Sequence, residues 1–145
     1  MFLAKEISSK DALKAWNKAK EVSLFCNPEY LSLMNHDVIY LGGFKNKELL
    51  AVWPILMDEV ETDGVLPYSY YFGPFSINSY KDLPPYKAYN NHLDIYSSLI
   101  EEVIKVKELI NFSLIPEFLD LRPFQWWNYH DSHKKHFHID VKYTA

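Results

Sequence analysis

The hydrophobic and polar positions change period several times along the chain, and each change marks an element. Phe2 to Ile7 reads as a short opening strand. Ser8 or Ser9 then caps a helix, with Asp11 facing the first-turn amides. Ala12, Leu13, Trp16 and Ala19 share one stripe of that helix. Asn27-Pro28-Glu29 is a second helix start: an N-cap, a proline suited to the first helical position, and an acid at the positive end. This helix, 28–35, is expected to bury Tyr30, Leu31 and Met34.

Asp37 to Phe44 reads as a strand, Lys45-Asn46-Lys47 as a turn, and Glu48 to Glu59 as the returning strand. Pro54 lacks an amide donor, so it predicts a bulge or an edge position there. A polar loop over Val60–Leu66, around Asp63-Gly64, leads to a strand over Tyr68–Phe72 that Gly73-Pro74 ends. Residues 76–91, with Pro84-Pro85, read as a long connection. Asn91 then opens the best helix, on which Leu93, Tyr96, Leu99, Ile100, Val103, Val106 and Ile110 recur at helical steps.

Ile110 to Ile115 reads as a strand stopped by Pro116, and Leu119 to Tyr129 as aromatic and partly helical. Phe137, Ile139, Val141 and Tyr143 alternate with polar residues, which predicts a half-buried final strand. The order β-α-α-β-β-β-α-β-α-β implies an α/β (α+β) domain with a mixed, mostly antiparallel central sheet flanked by helices. That strand runs into Ala145 without a cap or tail. The expectation is that the natural chain continues or that this one is a relic of a longer ancestor.

Composition narrows the function. The chain has 145 residues, a one-domain length, with a net charge of −4. Such a surface does not attract polyanions, so DNA is not an expected partner. The aromatic share is 17%, so some tyrosines are expected to line a cleft or interface with the ring buried and the hydroxyl wet. Arg122 is the only arginine, so any rigid two-pronged grip on a carboxylate or phosphate falls to it. Cys26 is the only cysteine and reads as a buried structural thiol. With no secretory signal and no membrane span in the sequence, a cytoplasmic location is expected.

Three segments carry candidate chemistry. In the first, Tyr70 and Tyr71 stand beside a strand that breaks at Gly73-Pro74, where a hydroxyl can donate to a substrate carbonyl or take its proton. A core strand followed by a turn is the plainer reading. In the second, Asp120 stands two residues from Arg122, with Trp126 close by. The acid either holds the arginine for a substrate anion or the pair stitches a short helix to the sheet. The third is a histidine cluster, His130, His133, His136 and His138. Its spacing matches no closed metal site, and Lys134-Lys135 opposes a cation, so it reads as a solvated turn. His130, next to Tyr129, is the general-base candidate.

The chain resembles the acyltransferase superfamily called GNAT, and more narrowly the first GNAT-like half of Fem-type aminoacyl- and acyltransferases. The residues that carry the resemblance are Asn27-Pro28-Glu29-Tyr30-Leu31, the hairpin with Trp53-Pro54, Tyr70-Tyr71-Phe72-Gly73-Pro74, Asp120-Leu121-Arg122-Pro123-Phe124-Gln125-Trp126 and Lys142-Tyr143-Thr144-Ala145. It implies a single GNAT-like domain over 1–145, either the N-terminal half of a two-fold unit or a stand-alone truncated relative.

The implied reaction moves an acyl or aminoacyl group to an amine on a sugar or peptide precursor, as in bacterial envelope or polysaccharide synthesis. Acyl-CoA or aminoacyl-tRNA would be the donor, and backbone amides would stabilise the oxyanion beside a splayed sheet. By the same resemblance Tyr71 and His130 would be catalytic, while Tyr70, Gly73, Pro74, Asp120, Arg122, Trp126 and Tyr129 would bind substrate. The Gly-rich turn on which GNAT enzymes hold the coenzyme A pyrophosphate is missing from the sequence. The alternatives are a non-catalytic module binding a sugar or peptide ligand, and a homodimerisation domain using the terminal strand edge or a second GNAT-like domain.

Overall fold

A computed structural model describes residues 1–58, 70–108 and 110–141. Four strands form one sheet in the order β1-β2-β3-β4, with β1 Phe2–Ile7, β2 Val38–Lys45, β3 Glu48–Leu56 and β4 Phe75–Ser76. Every pairing among the described residues is antiparallel. The helices are α1 Ser9–Lys18, α2 Pro28–Leu33, α3 Pro85–Val106 and α4 Arg122–Gln125. The protein is thus α+β, with helices on both faces of an antiparallel sheet. Among the described residues no helix is long and apolar enough to cross a membrane.

Local chemistry sets the early elements. The Ser8 hydroxyl accepts the Asp11 amide at 3.1 Å, and the Asn27 side chain accepts the Glu29 amide at 2.9 Å. Asn35 and Asn46 take left-handed backbone angles, φ 56° and 55°, which end α2 and turn the β2–β3 hairpin. Along β3, Ala51, Trp53 and Ile55 enter the core cluster on the α3 side, while Val52 and Leu56 enter the cluster under α1 and α2. This two-residue period buries both faces of the central strand. The core on the α3 side adds Tyr96, Leu99, Ile100 and Val103 from α3, with Phe118 and Phe124 from the C-terminal segment.

Several expectations change. Helix α3 begins at Pro85, not Asn91, because a proline at the first helical position needs no amide partner. The Pro84 carbonyl accepts the Lys87 and Ala88 amides at 2.9 and 3.0 Å, so the expected connection 76–91 is partly helix. Helix α2 is shorter than expected, and Met34 is exposed. The bulge lies at Leu50 of β3, opposite Gly43 and Phe44, and not at Pro54. Pro54 stands past Ala51 and Val52, the two β3 residues that pair with β4, and so occupies an edge among the described strands.

Residues 110–115 form no strand, residues 137–141 form none, and Tyr70-Tyr71 lie in a turn. Alternation in a sequence specifies a face, but a ladder also needs a free neighbouring edge. Among the described residues of the last expected strand, 137–141, Phe137 alone is half-buried, against Phe112 and Phe124. Glu59, the loop Val60–Leu66, Tyr68-Ser69 and Lys142-Tyr143-Thr144-Ala145 lie outside the described residues.

Candidate functional site

The described structure distributes the expected site residues over both faces of the sheet. On the α2 face, the chain at Tyr70–Pro74 is fastened by main-chain contacts. The Ser23 hydroxyl donates to the Tyr70 carbonyl at 2.9 Å, and the Cys26 thiol donates to the Tyr71 and Gly73 carbonyls, both at 3.4 Å. Burial raises the Cys26 thiol to about 11, which fits a structural thiol and not a nucleophile. Tyr70 is exposed, with its ring edge on Phe25, while Gly73 and Pro74 are buried. Tyr71 has a left-handed backbone, φ 59°, an unusual state for an aromatic residue that surrounding contacts must hold.

On the α3 face, Asp120 is buried and Arg122 wraps it. Arg122 Nε donates to both carboxylate oxygens at 2.9 and 3.1 Å, and Nη2 donates to one of them at 2.7 Å. The Arg122 amide adds a bond to the same carboxylate at 3.1 Å. Desolvation pushes the Asp120 carboxyl up, but the guanidinium and that amide outweigh it and hold the group below the usual carboxylate range. Nη2 also donates to the Tyr89 carbonyl at 3.2 Å, which ties the start of α4 to α3. The guanidinium lies 5.9 Å from the Tyr89 ring and 5.4 Å from the Trp126 ring. The two-pronged grip expected of Arg122 is therefore made on the chain's own carboxylate.

Tyr129 and His130 are exposed with their rings edge to face. His133, His136 and His138 are exposed in the same turn-rich stretch. Tyr71 and His130, the paired catalytic candidates, show no contact with each other among the described residues.

Residues 110–115 run beside the Phe72–Ser76 stretch. The Ser113 amide donates to the Phe72 carbonyl at 3.0 Å. Before this point, Phe72 shares a shallow notch with Ile110 and Phe112; after it, Phe75 and Ser76 share another with Ile115 and Phe118. The contacts advance in the same sense along both segments, so they run parallel without forming a ladder. At the crossing a Cβ on Gly73 would lie 2.4 Å from the Ser113 carbonyl oxygen, so only glycine fits.

One further constellation was not singled out from the sequence. A shallow cleft with about 60 Å3 of space, open solvent left out, lies between α3 and the β3–β4 edge. Leu50, Ala51, Ala88 and Ile95 give it apolar walls, and Ser76, Asn78, Ser79, Asn91, His92 and Tyr96 supply polar groups. The Tyr96 and Ser76 hydroxyls are 2.9 Å apart. His92 is buried with its ring against Tyr96 and Phe118, and its Nε2 lies 2.8 Å from the Asp120 carbonyl oxygen. Burial lowers His92 to about 4. The ring is neutral near pH 7, and the Nε2 hydrogen donates to that carbonyl. The four-residue step from Ala88 to His92 to Tyr96 was the available signal; it was missed because α3 was expected to start at Asn91.

No protein-family model matches the chain, and neither a curated protein nor a solved structure matches it.

Proposed function

We propose that the chain is a GNAT-like domain of Fem type, whose reaction transfers an acyl or aminoacyl group to an amine of a sugar or peptide precursor. The observation that supports this best is the fork at Phe72 and Ser113. Two parallel segments touch there without forming a ladder, beside a strained Tyr71 and the closely approached Gly73. The contact itself is closed; the reading needs the main-chain amides to either side of it, which enter no ladder, to meet a donor carbonyl. The order β1-α1-α2-β2-β3-β4-α3 agrees with the same reading. Acyl-CoA or aminoacyl-tRNA would be the donor, which would place the protein in the cytoplasm. Asp120 and Arg122 serve this reading by fixing Trp126 and the α4 turn on the other face.

The test is thermal unfolding of the full chain with acetyl-CoA and with aminoacyl-tRNA, followed by heteronuclear NMR. A rise in melting temperature with one donor is expected, with shifted resonances at Phe72, Gly73 and Ser113. A melting temperature indifferent to both donors, with those resonances unmoved, sinks the transfer reading.

A further inference from the structure

The sheet offers a different edge for pairing from the one expected at the C-terminal segment. Residues 137–141 form no strand, while β1 is an outermost strand, with β2 on one side only among the described residues. The Asn46 amide donates to the Met1 carbonyl at 2.7 Å, and the register carries that pairing on to Leu3↔Phe44, Lys5↔Gly42 and Ile7↔Tyr40. Hydrogen-bonded and non-hydrogen-bonded pairs alternate along an antiparallel ladder. The amides and carbonyls of Phe2, Ala4 and Glu6 therefore point away from β2, and none of them has a partner among the described residues. Such an edge is a template for another strand.

The spacing of these groups complements itself. When a second β1 lies antiparallel with Ala4 facing Ala4, Phe2 of each copy faces Glu6 of the other, and every outward group finds a partner. A slip by one pleat repeat leaves groups unpaired, and in one direction it sets Lys5 directly against Lys5. The side chains favour the same register. Glu6 is exposed and has no ion pair among the described residues. Lys45 Nζ, held by Asn91 Oδ1 at 3.0 Å, lies 5.6 Å from the centre of the Phe2 ring, so a Glu6 facing that ring meets a cation. Lys5 Nζ lies 5.0 Å from the centre of the Phe44 ring, drawn back over its own sheet and off the edge.

We propose that the chain forms a symmetric dimer through β1, which joins two four-stranded sheets into one. The proposal concerns assembly alone and does not depend on the transfer reading. An edge of six residues buries less surface than a standard interface, so the association is weak and concentration-dependent.

The experiment is sedimentation equilibrium of the full chain from micromolar to millimolar concentration, with amide hydrogen exchange at both ends of that range. Dimers are expected at the upper end, with Phe2, Ala4 and Glu6 gaining protection while Leu3, Lys5 and Ile7, already in the ladder, change little. Glu6→Pro removes an outward amide from each copy and leaves the β2 ladder intact; it is expected to weaken the dimer about thirtyfold. Glu6→Lys is expected to weaken it as well, and Lys45→Glu in the same chain to restore it. This charge exchange decides the matter should Glu6→Pro not fold. A chain that stays monomeric throughout, protection gained away from β1, a dimer indifferent to Glu6→Pro and Glu6→Lys, or a double variant no tighter than Glu6→Lys overturns the assignment.

Discussion

The imidazole Nε2 of His92 lies 2.8 Å from the main-chain oxygen of Asp120, and the Asp120 carboxylate is in turn held by Arg122. One end of α3 is therefore joined to the start of α4 through a neutral ring and a buried ion pair. The joint makes the stability of the fold depend on pH. His92 titrates near 6.5 when unfolded and near 4 when folded. Between those values the unfolded chain binds more protons, so stability rises with pH across the window and is lost as pH falls through it. The shift is worth about 3 kcal/mol. Urea unfolding from pH 7 down to pH 4 is expected to show this loss, and His92→Gln, which keeps a donor for the carbonyl, is expected to flatten the slope. Equal slopes in the two proteins would remove His92 as the cause.

Arg122 and Asp120 predict a ranked pair of effects. Arg122→Ala leaves a buried carboxylate without its partner and is expected to cost about 3 kcal/mol. Arg122→Lys keeps the charge but loses the fork, so about half that cost is expected. Chemical denaturation of both variants checks the order; a lysine variant as unstable as the alanine one would mean that charge plays no part.

Cys26 is expected to resist thiol reagents in the folded protein. With its thiol raised to about 11, the thiolate fraction falls about a hundredfold below that of a free cysteine, and burial restricts access further. Labelling with a chromogenic disulfide should follow global unfolding as urea is added. Rapid labelling of the native chain would contradict the thiol's contacts with Tyr71 and Gly73.

Gly73→Ala places a methyl carbon 2.4 Å from the Ser113 carbonyl oxygen. Backbone must move on one side or the other, and a destabilisation of about 2 kcal/mol is expected. A melting curve unchanged from the parent would mean that the two segments separate easily.

What was legible in the sequence was local. Ser8 and Asn27 announce helices because a cap is made by residues two or three positions apart, and the β2–β3 hairpin turns at Asn46 as its composition implies. Pro84-Pro85 misled because the same dipeptide suits a linker and a helix start. The segments 110–115 and 137–141 carried strand-like composition, but a ladder depends on an edge contributed from elsewhere in the chain. The cleft was hidden for a related reason. His92 is placed by a carbonyl 28 residues away, and nothing in the residues next to it signals that partner.

The crossing of Gly73 over Ser113 bears on how this chain can change over generations. Two distant stretches there share a space with no slack, so neither can drift alone. A side chain gained at one position would have to be met by a backbone detour at the other, and such paired changes are rare. A glycine at this contact is therefore a better marker of shared architecture than any of the surface tyrosines around it.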